Sequence, residues 1–207
     1  MKARWILALV LCALSVPSAS AIPISYISAT TVPTQFDPDA GAYGIGLLEL
    51  EGTLSLIVHY KDGTQEALAN TRFYLSADLF RDSSSGGQAR GEFIGGTIRI
   101  LDSANDLLLS GNVSALHMNE IFNDIGMLAA TGSFTADDGA LLAALGYPTG
   151  SIYEIAFDVH PKALNDLTLS FDGRSNITLA PIPEPTTLFL LALASGALAA
   201  RGRRIRR

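Results

Sequence analysis

From Leu48 to Tyr60 the chain alternates in polarity. Leu48, Leu50, Leu54, Leu56, Val58 and Tyr60 share one parity, Glu49, Glu51, Thr53, Ser55 and His59 the other, and Ile57 alone breaks the rule. A period of two gathers the apolar side chains on one face of an extended strand, whereas a helix would scatter them around its circumference. Lys61-Asp62-Gly63 follows as a turn, with glycine suited to positive φ. Phe73, Leu75, Ala77 and Leu79 then alternate with Arg72, Tyr74, Ser76 and Asp78. Further strand-like runs cover 93–101, 107–118, 127–134, 151–160, 167–171 and 177–179, with a weaker one at 24–31. Eight or nine short strands at this spacing predict an all-β fold, an antiparallel β-sandwich or jelly-roll-like domain.

One stretch reads differently. Residues 137–146 open with Asp137-Asp138 and close with Gly146 around a run of Ala and Leu, which predicts one short helix of about two turns. Residues 120–125 are expected to add a helical turn, and 82–87 form a Ser/Gly loop tip. No repeat with a period of 20 to 50 residues occurs, which argues against a solenoid or propeller.

The charge is distributed in three pieces. The whole chain of 207 residues has a formal charge of −6, but residues 22–181 hold 19 acidic and 7 basic side chains. Such a body repels phosphates, so no nucleic-acid partner is expected. Residues 1–21 begin with Lys2 and Arg4, continue through an apolar run from Trp5 to Leu14, and end in small residues. That order is a secretory signal peptide, predicted as a signal helix, with Ala19 and Ala21 at the small-x-small cleavage site. Its removal takes away the chain's one Cys and one Trp, which leaves the exported body without a disulfide or a thiolate.

Residues 182–207 close the chain. Pro181, Pro183 and Pro185 exclude a regular helix or central strand around Glu184, because proline lacks the N–H and fixes φ. Thr186 to Ala200 is uncharged, and as a helix those 15 residues reach ~22 Å against roughly 30 Å of hydrocarbon. A short transmembrane helix is therefore predicted. Arg201, Arg203, Arg204, Arg206 and Arg207 would orient it with the body outside and the terminus in the cytoplasm.

This ending resembles the PEP-CTERM sorting signal. The residues that carry the likeness are Pro183-Glu184-Pro185, the short apolar segment and the terminal arginine run, in that order. The resemblance implies processing by exosortase, a membrane-embedded cysteine protease of Gram-negative bacteria that make exopolysaccharide. It also implies a chain exported through the inner membrane and held there transiently by its C-terminal helix. Cell surface or extracellular matrix would be its destination. It says nothing of the fold of residues 22–181.

Candidate chemistry in the body is sparse. His59, His117 and His160 show neither H-x-H nor H-E-x-x-H spacing, so no metal site is assigned to them. Glu49 and Glu51 project from one strand face roughly 7 Å apart, a separation near that of a glycosidase pair, but an acidic solvent face produces the same pattern. Asp37, Asp39, Asp102 and Asp106 place oxygen donors in tight loops of the kind calcium takes, without the D-x-[DN]-x-[DN]-G pattern. No cofactor is expected, calcium being the one ion those loops would suit. No G-x-S-x-G elbow and no phosphate loop occur. Asn112-Val113-Ser114 and Asn176-Ile177-Thr178 match the glycosylation sequon by chance.

Tyr74 lies on the polar parity of its strand beside Arg72, and these two are the best candidates for a ligand contact. The expected function is non-catalytic: a structural or adhesive component of the exopolysaccharide layer. A carbohydrate- or calcium-binding module of that layer is the alternative, and a hydrolase ranks last. Replacing Pro183, Glu184 and Pro185 by alanine should leave export intact and block tail removal. Intact-mass measurement of the protein recovered from its producer would then show a C-terminus retained, and an unchanged mature mass would contradict the assignment.

Overall fold

The alternating runs pair into antiparallel ladders because each strand has one apolar face to bury and a turn at its end. The computed structural model describes residues 25–122, 126–161 and 166–182. The predicted signal peptide, with Ala19 and Ala21, lies outside them, as does the tail with its Pro-Glu-Pro motif, predicted transmembrane helix and arginine run. The strands are β1 (Tyr26–Asp37), β2 (Leu47–His59), β3 (Gln65–Asp82), β4 (Arg90–Ile94), β5 (Thr97–Leu101), β6 (Leu107–Phe122), β7 (Met127–Asp138), β8 (Ile152–Val159) and β9 (Phe171–Pro181). A single short helix among the described residues, α1 (Ala140–Leu145), joins β7 to β8.

Every strand pairs with its neighbours in sequence except β4 with β5, and β9 returns to pair with β1. Since β2 also pairs with β3, the hydrogen-bonded circuit closes into a barrel. β4 and β5 form one broken stave between β3 and β6, so nine strands make eight staves. The antiparallel all-β fold with one short helix is as the sequence predicts. A jelly roll needs Greek-key crossovers, whereas this sheet is a meander closed on itself.

Closure requires bends, and these fall where the ladder slips. β1 changes register between Ala29 and Val32, where Thr31 adopts φ 58°. β3 slips opposite Leu54 and Leu56, beside Asn70 at φ 56°. Bulges of this kind kink a strand and increase its twist, and the bulge in β1 accommodates Pro33 within a paired strand. The break between β4 and β5 depends on Gly96, at φ 89°, where a Cβ would lie 2.1 Å from the Ser76 carbonyl oxygen.

The interior is filled. Phe36, Phe73, Phe93, Phe134 and Tyr153 are fully buried together with inward Leu, Ile and Val from every stave. Burying each such side chain contributes about 2–3 kcal/mol. Leu141, Leu142 and Leu145 of α1 join the core near the rim at which β7 ends and β8 begins. At the other rim Leu167 closes over Gly91, where a Cβ would come within 2.5 Å of its Cδ1. Outward positions carry Glu49, Glu51, Arg72, Arg99, Asn112, Glu154 and Asp172, the reverse of a membrane-spanning barrel with its apolar outer band. No described helix is long and apolar enough to cross a membrane.

Several boundaries differ from the sequence reading: the run 93–101 is two strands, β4 and β5, and β1, β3 and β7 are longer than expected. Asp137 and Asp138 end β7 and do not start the helix. α1 opens after Gly139 with no side-chain cap and closes on Gly146 in the left-handed conformation. Residues 120–122 extend β6 in place of the expected helical turn, because Glu120 faces inward and its Oε2 accepts the Ala89 N–H at 3.0 Å. Residues 166–169 are bends, and the last strand starts at Phe171.

Tyr153 exposes a tension in this core. Its ring stacks on Phe134 with centroids 5.1 Å apart, yet its buried hydroxyl has no hydrogen-bond partner among the described residues. Burial, and secondarily the neighbouring Tyr147, push its pKa above the ordinary 10.0. The folded state therefore keeps a proton that the unfolded chain releases, so the stability tied to this group is intact below pH 10 and drains as pH rises. Tyr153→Phe should raise the melting temperature by about 2–4 °C at neutral pH. Its advantage over wild type should widen above pH 10, as thermal melts at several pH values would show.

Candidate ligand-binding groove

Because Leu50, Leu75 and Ile98 point inward, their neighbours Glu49, Glu51, Tyr74, Ser76, Thr97 and Arg99 point outward from three adjacent strands. The register aligns Glu51 with Tyr74 and Tyr74 with Arg99, while Thr53 aligns with Arg72 and Arg72 with Leu101. These rows line a groove of about 720 Å³ on the outer face of β2, β3 and β5. Tyr74 is half-buried there. Its hydroxyl donates to Glu49 Oε1 at 3.5 Å, and Glu49 Oε2 accepts from Gln35 Nε2 at 3.1 Å. Thus Glu49 is a tether for the tyrosine rather than a free carboxylate.

Tyr74 and Arg72, the two candidates for a ligand contact, both line this groove from β3. Arg99 and Thr97 join them from β5, and sequence reading passed over both. Their signal was present: Thr97 and Arg99 alternate with the inward residues Ile98 and Ile100 of β5. What was missing was the partner strand, since only the ladder shows that Arg99 faces Tyr74.

Glu49 and Glu51 also face a second, smaller groove of about 270 Å³, shared with Gln35 and Asp172. No histidine is among the residues that line it. The three histidines lie apart. His59 stacks on Tyr26 with centroids 4.0 Å apart and bonds Ser28 Oγ through Nε2 at 3.0 Å. His117 faces outward from β6 opposite Glu92 and Thr131. His160 Nε2 meets Asp158 Oδ2 at 2.8 Å, and the same oxygen accepts from Asn176 Nδ2 at 3.1 Å. Asn112, the other sequon asparagine, bonds Asp137.

The acidic loops are organised by their own backbone. Asp102 Oδ1 accepts the N–H groups of Ala104 and Asp106, each at 2.8 Å, and Asp37 Oδ1 accepts that of Asp39 at 2.9 Å. These are Asx turns, in which the carboxylate substitutes for a backbone acceptor. Among the described residues no cluster of three His, Cys, Asp or Glu side chains could hold a metal ion. Two other carboxylates are held below their ordinary range by the same chemistry. Asp62 is lowered first by the Thr64 hydroxyl at 2.6 Å and then by its N–H at 2.9 Å; Thr168 acts on Asp166 in the same order. Shifted carboxylates here mark turns.

Residues 181–207 match the PEP-CTERM protein-sorting motif. The match covers the tail alone, as the resemblance in the sequence does. It marks the chain as exported, with a membrane-associated C-terminus before processing by exosortase. No curated protein and no solved structure matches the chain.

Asp102→Ala should loosen the β5–β6 turn at a cost of about 1 kcal/mol. Thermal melts in calcium and in chelator should show the same loss, whereas a loss confined to calcium-containing buffer would point to a metal ligand.

Proposed function

We propose that the protein is an exosortase-sorted, non-catalytic component of the bacterial surface or extracellular matrix, structural or adhesive within the exopolysaccharide layer. One observation carries most of the weight: the barrel is solid. Side chains from every stave fill its axis and both rims are closed, so whatever it recognises must be met on the outside. A lumen for a small ligand would need the space that Phe36, Phe93 and Tyr153 take up. The location of the chain ends supports the same reading. β1 begins at Tyr26 opposite His59, and β9 ends beside the start of β8, where the Ile182 N–H donates to the Ile152 carbonyl at 2.8 Å. The exported N-terminus and the tail therefore leave the same rim, and the outer staves and opposite rim stay open to a matrix.

Against a hydrolase stands the engagement of Glu49, one of the two paired carboxylates, by Tyr74 and Gln35. A strain lacking the chain should bind less exopolysaccharide at its surface and cohere more weakly, with recovery on expression of the wild type. Fractionation of the complemented strain should place the processed chain outside the inner membrane. Full-length protein in the cytosol, or an unaltered matrix in the deletion strain, would refute the proposal.

A further inference from the structure

Arg72 and Arg99 stand on adjacent strands of an acidic body, as diagonal neighbours whose Cβ atoms are about 7 Å apart. Among the described residues neither guanidinium has a hydrogen-bond or ion-pair partner, although both line the same groove as Glu51. Two like charges side by side repel, and nothing in the barrel requires them there for packing, since both are exposed. The protein holds only 7 basic side chains between residues 22 and 181, so two in one groove concentrate what the rest of the surface lacks. Between and beside them lies the ring of Tyr74, whose hydroxyl meets Glu49 Oε1 at 3.5 Å. Thr53 and Thr97 add hydroxyls along the groove.

We propose that the groove over β2, β3 and β5 binds an acidic polysaccharide, with Arg72 and Arg99 holding carboxylates of successive uronate residues. A guanidinium fork matches a carboxylate in two parallel hydrogen bonds, which a lysine would not reproduce. The tyrosine ring offers a flat apolar surface to the C–H face of a pyranose, and Glu51 with the two threonines bonds its hydroxyls. The groove is open along the sheet, which suits an extended polymer better than a compact ligand. Duplex nucleic acid carries the same sign of charge, but its dense phosphates would face the surrounding carboxylates of Glu49, Glu51 and Asp172. The inference rests on the proposed surface role, and it names the class of polymer that role would engage.

The full chain in detergent, immobilised, should bind alginate saturably and less tightly as salt rises, and should bind neutral dextran negligibly. Arg72→Ala and Arg99→Ala should each weaken alginate binding about tenfold, and the double variant should abolish it. Tyr74→Phe should change little and Tyr74→Ala should lose several-fold, which separates the ring from its hydroxyl. Arg81→Ala and Arg90→Ala, outside the groove, should match wild type, with circular dichroism confirming that every variant folds. Alginate binding that survives the double variant would overturn the proposal, as would dextran or duplex DNA bound as tightly as alginate. Absence of alginate binding by wild type would also overturn it, while the surface role would still be judged by fractionation and the deletion strain.

Discussion

The pairing of β1 with β9 is the contact on which the rest of the structure depends. Without it the sheet would be an open meander with two exposed edges, each a row of unpaired N–H and C=O groups. With it, every stave has two neighbours, and an alternating sequence suffices to place all the apolar residues inside. Residues 26–37 and 171–181 meet only after the whole domain has been traversed, so closure pays its loop entropy last and stabilises everything before it. The bulges at Thr31 and Asn70 serve the same end, bending β1 and β3 enough for the ring to close.

A closed and filled barrel also fixes where function can reside. The outer positions were free to diverge in chemistry because the inner ones alone maintain the fold. On most staves that freedom shows as scattered acidic and small polar residues, many of them tied into local pairs such as Asp158 with His160 and Asn176. Over β2, β3 and β5 it shows as Arg72 and Arg99, without a partner among the described residues, beside Tyr74. Charge left unpaired on a rigid sheet is preorganised for a partner, since the backbone that presents it pays no further ordering cost on binding.

How much of this could be read from the residues depends on how local the cause is. The alternation at 48–60 and 72–79 identified β2 and the middle of β3, because a half-buried strand leaves a period of two in its own sequence. It missed the length of β1, where the bulge at Thr31 and the proline beside it interrupt the period. It misplaced the start of α1, because Asp137 and Asp138 look like caps when their place in the β6–β7 ladder is unknown. Closure left no local mark at all. The site divides in the same way: parity alone picked out Tyr74 and Arg72, but Arg99 became their neighbour only through cross-strand register. The tail is the opposite case, legible from three short elements in order and independent of any fold.

The shared exit rim has a physical consequence for release. Ile182 is still bonded to β8, and only three residues lie between it and Thr186, a reach of at most about 14 Å over four Cα steps. While the tail is membrane-associated, this rim is thus kept close to the bilayer surface, at a distance comparable to the screening length of physiological salt. Its turns carry Asp62, Asp102, Asp106, Asp137 and Asp138 against Lys61 alone. So acidic a rim offers a bilayer surface no cationic patch, and the attachment depends on the apolar tail and its arginines. Once the tail is cut, this acidic rim gives no attraction to anionic headgroups, and on the proposed reading the arginine groove is the part of the barrel open to an anionic matrix.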